Sequence, residues 1–312
     1  MMTSESISRD IARILVWYPV RWSISVLPIS ISLIIFRLLG HVHYLLSRGK
    51  RNMLMANFDK LSAKTEYHFP AAETTRGCFE THYIDQLLVF LFSKFTLESI
   101  NRIHSFDGLE KLEKELSAQR GCILTHGHFG PVHLPLFHLG IKGYDVKQLG
   151  YLRKPKELSW VGENVSYRLR QKYERMIPAE IIQADRFLGK AFDHLKNNGI
   201  LMITGDGTGR GEFIGKFEPF SFLGQQMLFP IGPARLAKKT GSSIIPIFTI
   251  SDKGRNRFVT IVGDPILSGS SGDSCEEKEI TNRFVRMFES YLVKHPSSWH
   301  LWDEFSEGNL TV

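Results

Sequence analysis

Residues 121–140, GCILTHGHFGPVHLPLFHLG, decide how this chain is read. The run CILT is short, apolar and soon followed by glycine, which reads as a strand. Pro131 suits the first turn of a helix and Gly140 its end, with Pro135 keeping that helix short or kinked. A strand that passes through a glycine turn into a helix is half of a βαβ unit, and the segments around it repeat the alternation.

Upstream, GLEKLEKELSAQR (108–120) has the spacing of a charged amphipathic helix, and 50–66 and 76–94 also read as helices. Downstream, strands are expected at 144–152, 176–182 and 200–206, with helices at 157–175 and 186–198. A glycine-rich loop follows. The helix GPARLAKKTG (232–241), strands at 242–251 and 257–266, and a helix over roughly 276–294 then lead to HPSSWHLW (295–302). This order predicts an α/β sheet with helices on its faces, in one domain over 49–312.

Residues 1–48 stand apart. WSISVLPISISLIIF (22–36), between Arg21 and Arg37, is apolar but shorter than the ~20 residues of a spanning helix, and it contains Pro28. Trp17, Tyr18, Trp22 and Tyr44 flank it like an interfacial aromatic belt. The expectation is a membrane-associated helix lying in or dipping into a lipid surface, the alternative being an ordinary buried first helix. Glu5 and Asp10 precede the apolar run, unlike a secretory signal.

Hydrophobic content of 43% and charged content of 23% exclude a disordered chain. The net charge of +7 asks for a negative partner: nucleic acid, an anionic membrane surface or an acidic carrier protein. The basic runs, RGKR at 48–51 and Arg153 with Lys154 and Lys156, lack the interleaved aromatics of a nucleic-acid groove, so no nucleic acid is expected. Cys78, Cys122 and Cys275 are far apart and form no CxxC pair, which excludes a disulfide framework and fits a reducing compartment.

His126, His128, His133 and His138 make the opening stretch hold a third of the chain's 12 histidines. His126 and His128 share one side of an extended segment, and His133 could join them around a metal, as in a hydrolase. Against this, residues 125–140 contain no Asp, Glu or Cys, and no metal is expected. His138, between Phe137 and Leu139, reads as a core residue. His128 sits where open α/β sheets bind ligands, beyond a strand's carboxyl end, and suits a general base that deprotonates a hydroxyl or amine for attack on a thioester.

The run GLEKLEKELSAQRGCILTHGHFGPVHL resembles the active-site region of the lipid A biosynthesis acyltransferases, the lauroyl and myristoyl transferases of the lysophospholipid acyltransferase superfamily. The likeness continues in the family's order through RNMLMANF with Asn57, LMITGDG with Asp206, the FLG of Phe222 to Gly224, GPARLAKKTG and HPSSWHLWDEF. It implies a mixed sheet flanked by helices, placed at the cytoplasmic face of the inner cell membrane. It also implies acyl transfer from an acyl carrier protein or CoA thioester to a lipid or glycolipid, with no cofactor. In that family the histidine of GHFG pairs with an acidic residue five positions on, and here that position is His133.

Three readings of this departure stay open. His133 serves His128 as a neutral partner, with an amine acceptor or an aminoacyl donor as candidates for an easier transfer. Or Asp206 supplies the carboxylate. Or the chain is an inert relative that binds lipid or a carrier protein. Arg153 and Arg210 are candidates to grip a phosphate of donor or acceptor. Phe222 and Gly224, with Phe217, Phe220, Leu223, Met227, Leu228 and Phe229, would line an acyl-chain tunnel if the resemblance holds, and are core residues otherwise.

Overall fold

The structure is a computed structural model that describes residues 7–150, 158–184, 188–207, 214–266, 274–306 and 310. The chain begins with the helices α1 (Ile7–Leu15), α2 (Arg21–Val26), α3 (Ile29–Leu46), α4 (Arg48–Lys64), α5 (Ala71–Leu87) and α6 (Leu97–Ile103). Strands and helices then alternate: β1 (His104–Asp107), α7 (Leu109–Ser117), β2 (Cys122–His126), α8 (His133–Ile141), β3 (Val146–Gly150), α9 (Arg168–Glu174), β4 (Glu180–Gln183), α10 (Gly189–Lys196) and β5 (Ile200–Thr204). A hairpin of β6 (Phe217–Phe222) and β7 (Gln225–Pro230) follows. After it come α11 (Gly232–Thr240), β8 (Ser243–Asp252), β9 (Arg257–Val262), α12 (Ser274–Lys294) and α13 (Trp302–Ser306).

Seven strands form one mixed sheet in the order β1-β9-β8-β2-β5-β3-β4, parallel throughout except between β8 and β9. The fold class is therefore the expected one. Central strands covered on both faces need apolar residues at every position, which is why CILT, ILMIT and SIIPIF do not alternate with polar residues. Cys122, Leu124, Ile200 and Met202 enter one core beside Leu134, Leu136 and Phe137 of α8. Ile123, Leu201 and Phe248 enter the other beside Phe284 and Phe288 of α12.

The register of the two central strands positions the site. His126 pairs with Thr204, and the Gly205 N–H donates to the His126 carbonyl at 2.6 Å, so the loops after β2 and β5 leave the sheet side by side.

The N-terminal apolar run is two helices rather than one. Leu27, the residue before Pro28, is extended (φ −79°, ψ 149°), because proline disfavours helix in the residue it follows. The second helix, α3, runs past Arg37 to Leu46 and is by length and composition able to cross a membrane. Ser32, Leu33, Phe36 and Gly40 on one face are buried. At Gly40 a methyl group would lie 2.8 Å from the Glu80 Cα and the Phe79 carbonyl of α5, so glycine permits the close helix crossing. The other face carries Ile31, Ile34, Leu38, Val42 and Leu45, all exposed, and Ile7, Ile11 and Ile14 of α1 and Trp22 and Val26 of α2 are exposed as well.

Candidate active site

His128 lies two residues beyond β2 and Asp206 two beyond β5. Their side chains meet: His128 Nδ1 is 2.8 Å from Asp206 Oδ1. The His128 backbone N–H donates to the other carboxylate oxygen at 2.8 Å, and the Trp299 indole N–H donates to that same oxygen at 2.9 Å. Asp206 is fully buried, whereas the His128 side chain keeps 27% of its surface. Gly127 makes the approach possible, since a methyl group there would stand 2.7 Å from the Phe288 ring and 3.2 Å from Asp206 Oδ2.

Burial alone would lower the pKa of His128. The Asp206 charge and its hydrogen bond, with the charges of Asp85 and Glu304, outweigh that and hold it above the ordinary histidine value. Burial pushes the Asp206 carboxyl up, but His128 and the Trp299 N–H more than offset it, so Asp206 titrates below the usual carboxylate range. With Nδ1–H directed at a carboxylate, Nε2 carries the lone pair of the neutral ring. This is the arrangement of a base whose tautomer is fixed and whose protonated form is stabilised.

The residues 298–300 brace the loop from behind. Phe129 and Trp299 form an antiparallel bridge, the Gly130 N–H donates to Ser298 O at 2.7 Å, and the His300 N–H donates to His128 O at 2.9 Å. The His300 ring Nε2 donates to Gly130 O at 2.7 Å. Trp299 and His300 were not identified as site residues from the sequence. Their signal was the HPSSWHLW run, but nothing local to it reveals a contact 170 residues away.

His133, expected to serve His128 as its partner, has other neighbours in this geometry. It opens α8 with its ring edge-on to Phe92 at 6.5 Å, and among the described residues no hydrogen bond joins it to His128. Asp206 already occupies Nδ1, because β5 ends beside β2. Burial lowers the His133 pKa against the opposing pull of Glu174 and Asp85. Asp85, on α5, is a second buried carboxylate near the site that the sequence reading did not single out; its Oδ1 accepts the Val132 N–H at 3.1 Å.

The remaining histidines of the opening stretch are engaged separately. His126 Nδ1 contacts its neighbour's carbonyl, Gly127 O, at 2.9 Å, and burial lowers its pKa to about 4. His138 Nδ1 meets His104 Nδ1 at 2.8 Å, and His104 Nε2 meets Thr260 Oγ1 at 2.7 Å, a buried core network. Among the described residues no three His, Cys, Asp or Glu side chains are grouped as ligands of one ion. Burial raises the Cys122 thiol to about 12, away from nucleophile chemistry.

Phe222 is fully buried among the rings of Phe229, Phe288, Trp299 and Phe305, and Phe229 and Met227 are buried as completely. Gly224, at φ +73°, forms the hairpin turn against Thr65. Phe222, Met227 and Phe229 fill a core because alternate positions of β6 and β7 turn inward onto α12, whereas Gly224 at the turn is exposed. Arg153 and Arg210 lie outside the described residues.

A sequence profile of the bacterial lipid A biosynthesis acyltransferases matches residues 10–303. Phosphatidylinositol mannoside acyltransferase of Mycobacterium tuberculosis is 24% identical over 204 residues, which cover 62% of this chain and 57% of that protein. The chain thus spans little more than half the length of this relative. The crystal structure of the 1-acyl-sn-glycerophosphate acyltransferase PlsC from Thermotoga maritima aligns over 78% of this chain and 97% of that one, at 15% identity and a TM-score of 0.36.

Proposed function

The chain belongs to the bacterial lipid A biosynthesis acyltransferase family, and from that premise we propose that His128 is the general base of its acyl transfer, with Asp206 as the carboxylate that orients it. The observation that carries this reading is the 2.8 Å contact between His128 Nδ1 and the buried Asp206 carboxylate at the carboxyl ends of two adjacent parallel strands.

His128 Nε2 takes the proton of an acceptor hydroxyl or amine as the oxygen or nitrogen attacks the carbonyl of an acyl thioester. The tetrahedral intermediate collapses by breaking the C–S bond, and the proton on His128 passes to the departing thiolate. Asp206 keeps Nδ1 protonated and balances the imidazolium. The donor is an acyl carrier protein or CoA thioester, for which the net charge of +7 supplies long-range attraction. The acceptor is a lipid or glycolipid at the cytoplasmic face of the inner membrane, on which the exposed apolar faces of α1, α2 and α3 rest. Because α3 buries its other face on α5, it lies along the membrane surface rather than crossing it. Arg153 and Arg210 remain candidate phosphate grips.

The test is mass spectrometry of total lipids from cells expressing wild type, His128→Ala, Asp206→Asn or His133→Glu. An acylated lipid present with wild type, lost with the first two and retained with His133→Glu is expected. A product that survives His128→Ala overturns the assignment, and profiles all equal to those of empty cells favour a lipid- or carrier-binding protein.

A further inference from the structure

A cavity of about 340 Å³ lies between α3, α5, the turn joining β8 to β9 and the segment after α12. The backbone of Gly130 and Pro131, just past His128, forms part of its wall. Arg37 enters this cavity from the apolar helix α3. Its Nη1 donates to the Asn256 side-chain oxygen, while Nε and Nη2 are buried and have no hydrogen-bond partner among the described residues. Those two groups form the edge of a guanidinium that grips two acceptor oxygens at once. Leaving such an edge unpaired away from water is costly.

The neighbouring charges select the sign of the ligand. Three acids line the cavity, but Glu80 is held by Lys253 at 3.4 Å and Arg76 at 3.9 Å, and Asp252 by Arg257 at 3.5 Å and Arg255 at 4.0 Å. Counting Arg76, Arg255 and Arg257 with the lining Arg37, Lys253 and Lys294, six cations stand against three acids, and Glu80 is the acid whose charge reaches Arg37. The Ser251 hydroxyl, on the same lining, is buried without a partner as well. Beside Arg37 on α3, Ile34 and Leu38 are half exposed and apolar. Anion recognition and an apolar track therefore meet at one residue.

We propose that this cavity binds the phosphate of a phospholipid headgroup, gripped by the Nε and Nη2 edge of Arg37 with Ser251 and Lys294 completing the cradle, and with the acyl chains lying along Ile34 and Leu38. The proposal rests on the lipid-facing reading of α3 but not on any catalytic step.

Calorimetric titration of the full chain, in a detergent with an uncharged headgroup, tests it with three probes: dihexanoyl phosphatidylglycerol, dihexanoyl glycerol and inorganic phosphate. The phosphatidylglycerol is expected to bind saturably and at least tenfold more tightly than either other probe, and Arg37→Gln is expected to weaken it about tenfold or more. Equal binding of inorganic phosphate would make this a simple anion site and overturn the lipid assignment, as would wild-type affinity in Arg37→Gln. Should Arg37→Gln fail to fold, Ser251→Ala and Lys294→Gln decide: each is expected to weaken binding several-fold, and unchanged affinity in both overturns the cradle. Calorimetry needs no turnover, so loss of the headgroup site and failure of acyl transfer are read separately.

Discussion

At the scale of single residues, the site is a histidine tuned by a carboxylate that is itself held by three donors. Asp206→Asn keeps the shape but removes the charge and allows the wrong tautomer; acyl transfer is expected to fall by about three to four orders of magnitude, as with the comparable change in hydrolase triads, and steady-state kinetics checks it. Trp299→Phe keeps the ring and deletes one donor to Asp206. A carboxylate with fewer donors is more basic and favours imidazolium more, so the His128 pKa rises and the acid limb of the kcat/KM profile moves to higher pH. A lower rate with an unmoved limb would assign Trp299 a packing role alone. His128 was legible because GHFG places a histidine between two glycines at a strand end. Its partner was less so. Asp206 stood as one of three readings because 78 residues separate it from His128, and only the register of β2 with β5 closes that distance.

At the scale of elements, the strands buried on both faces were legible from their uninterrupted apolar runs, and α7 from its charged amphipathic spacing. The four-residue edge strand β1 and the short helix α6 were not, because neither is long enough to show a period. The β6–β7 hairpin was hidden by Pro219 and by the turn at Leu223 and Gly224, both at positive φ, which sequence alone reads as a loop. The crossing of α3 on α5 gives a sharp test. Gly40→Ala brings a methyl group to 2.8 Å from α5 backbone and is expected to cost about 1–3 kcal/mol, seen as a lower Tm and faster proteolysis near α3. Gly49→Ala, in open space within α4, is the matched control and should stabilise slightly, since alanine favours helix by up to ~1 kcal/mol. Equal effects of the two would mean the crossing is loose.

At the scale of the whole molecule, several histidines are buried in the neutral form. Burial holds His126 and His138 at about 4 and His104 well below the ordinary value. Their folded pKa values lie below the ~6.5 of an unfolded histidine, so their contribution is complete above that pH and is lost as pH falls toward 4. His128, shifted upward, has the opposite sign: its stabilisation is present below ~6.5 and disappears as pH rises through its folded pKa. Burial lowers His43, His133 and His295 as well, so six groups stand against one; the urea midpoint is expected to be lower at pH 4.5 than at pH 7.5, and equal midpoints would contradict this. The bond from Trp299 to Asp206 spans 93 residues of chain and has one more consequence, which concerns time. Synthesis runs from the N-terminal side, so β2 and β5 leave the ribosome before the segment that steadies the loop after β2. A nascent chain that has reached Asp206 already carries the histidine and its carboxylate but lacks the indole that holds the carboxylate, so the pair is completed only when the far end of the sequence is made.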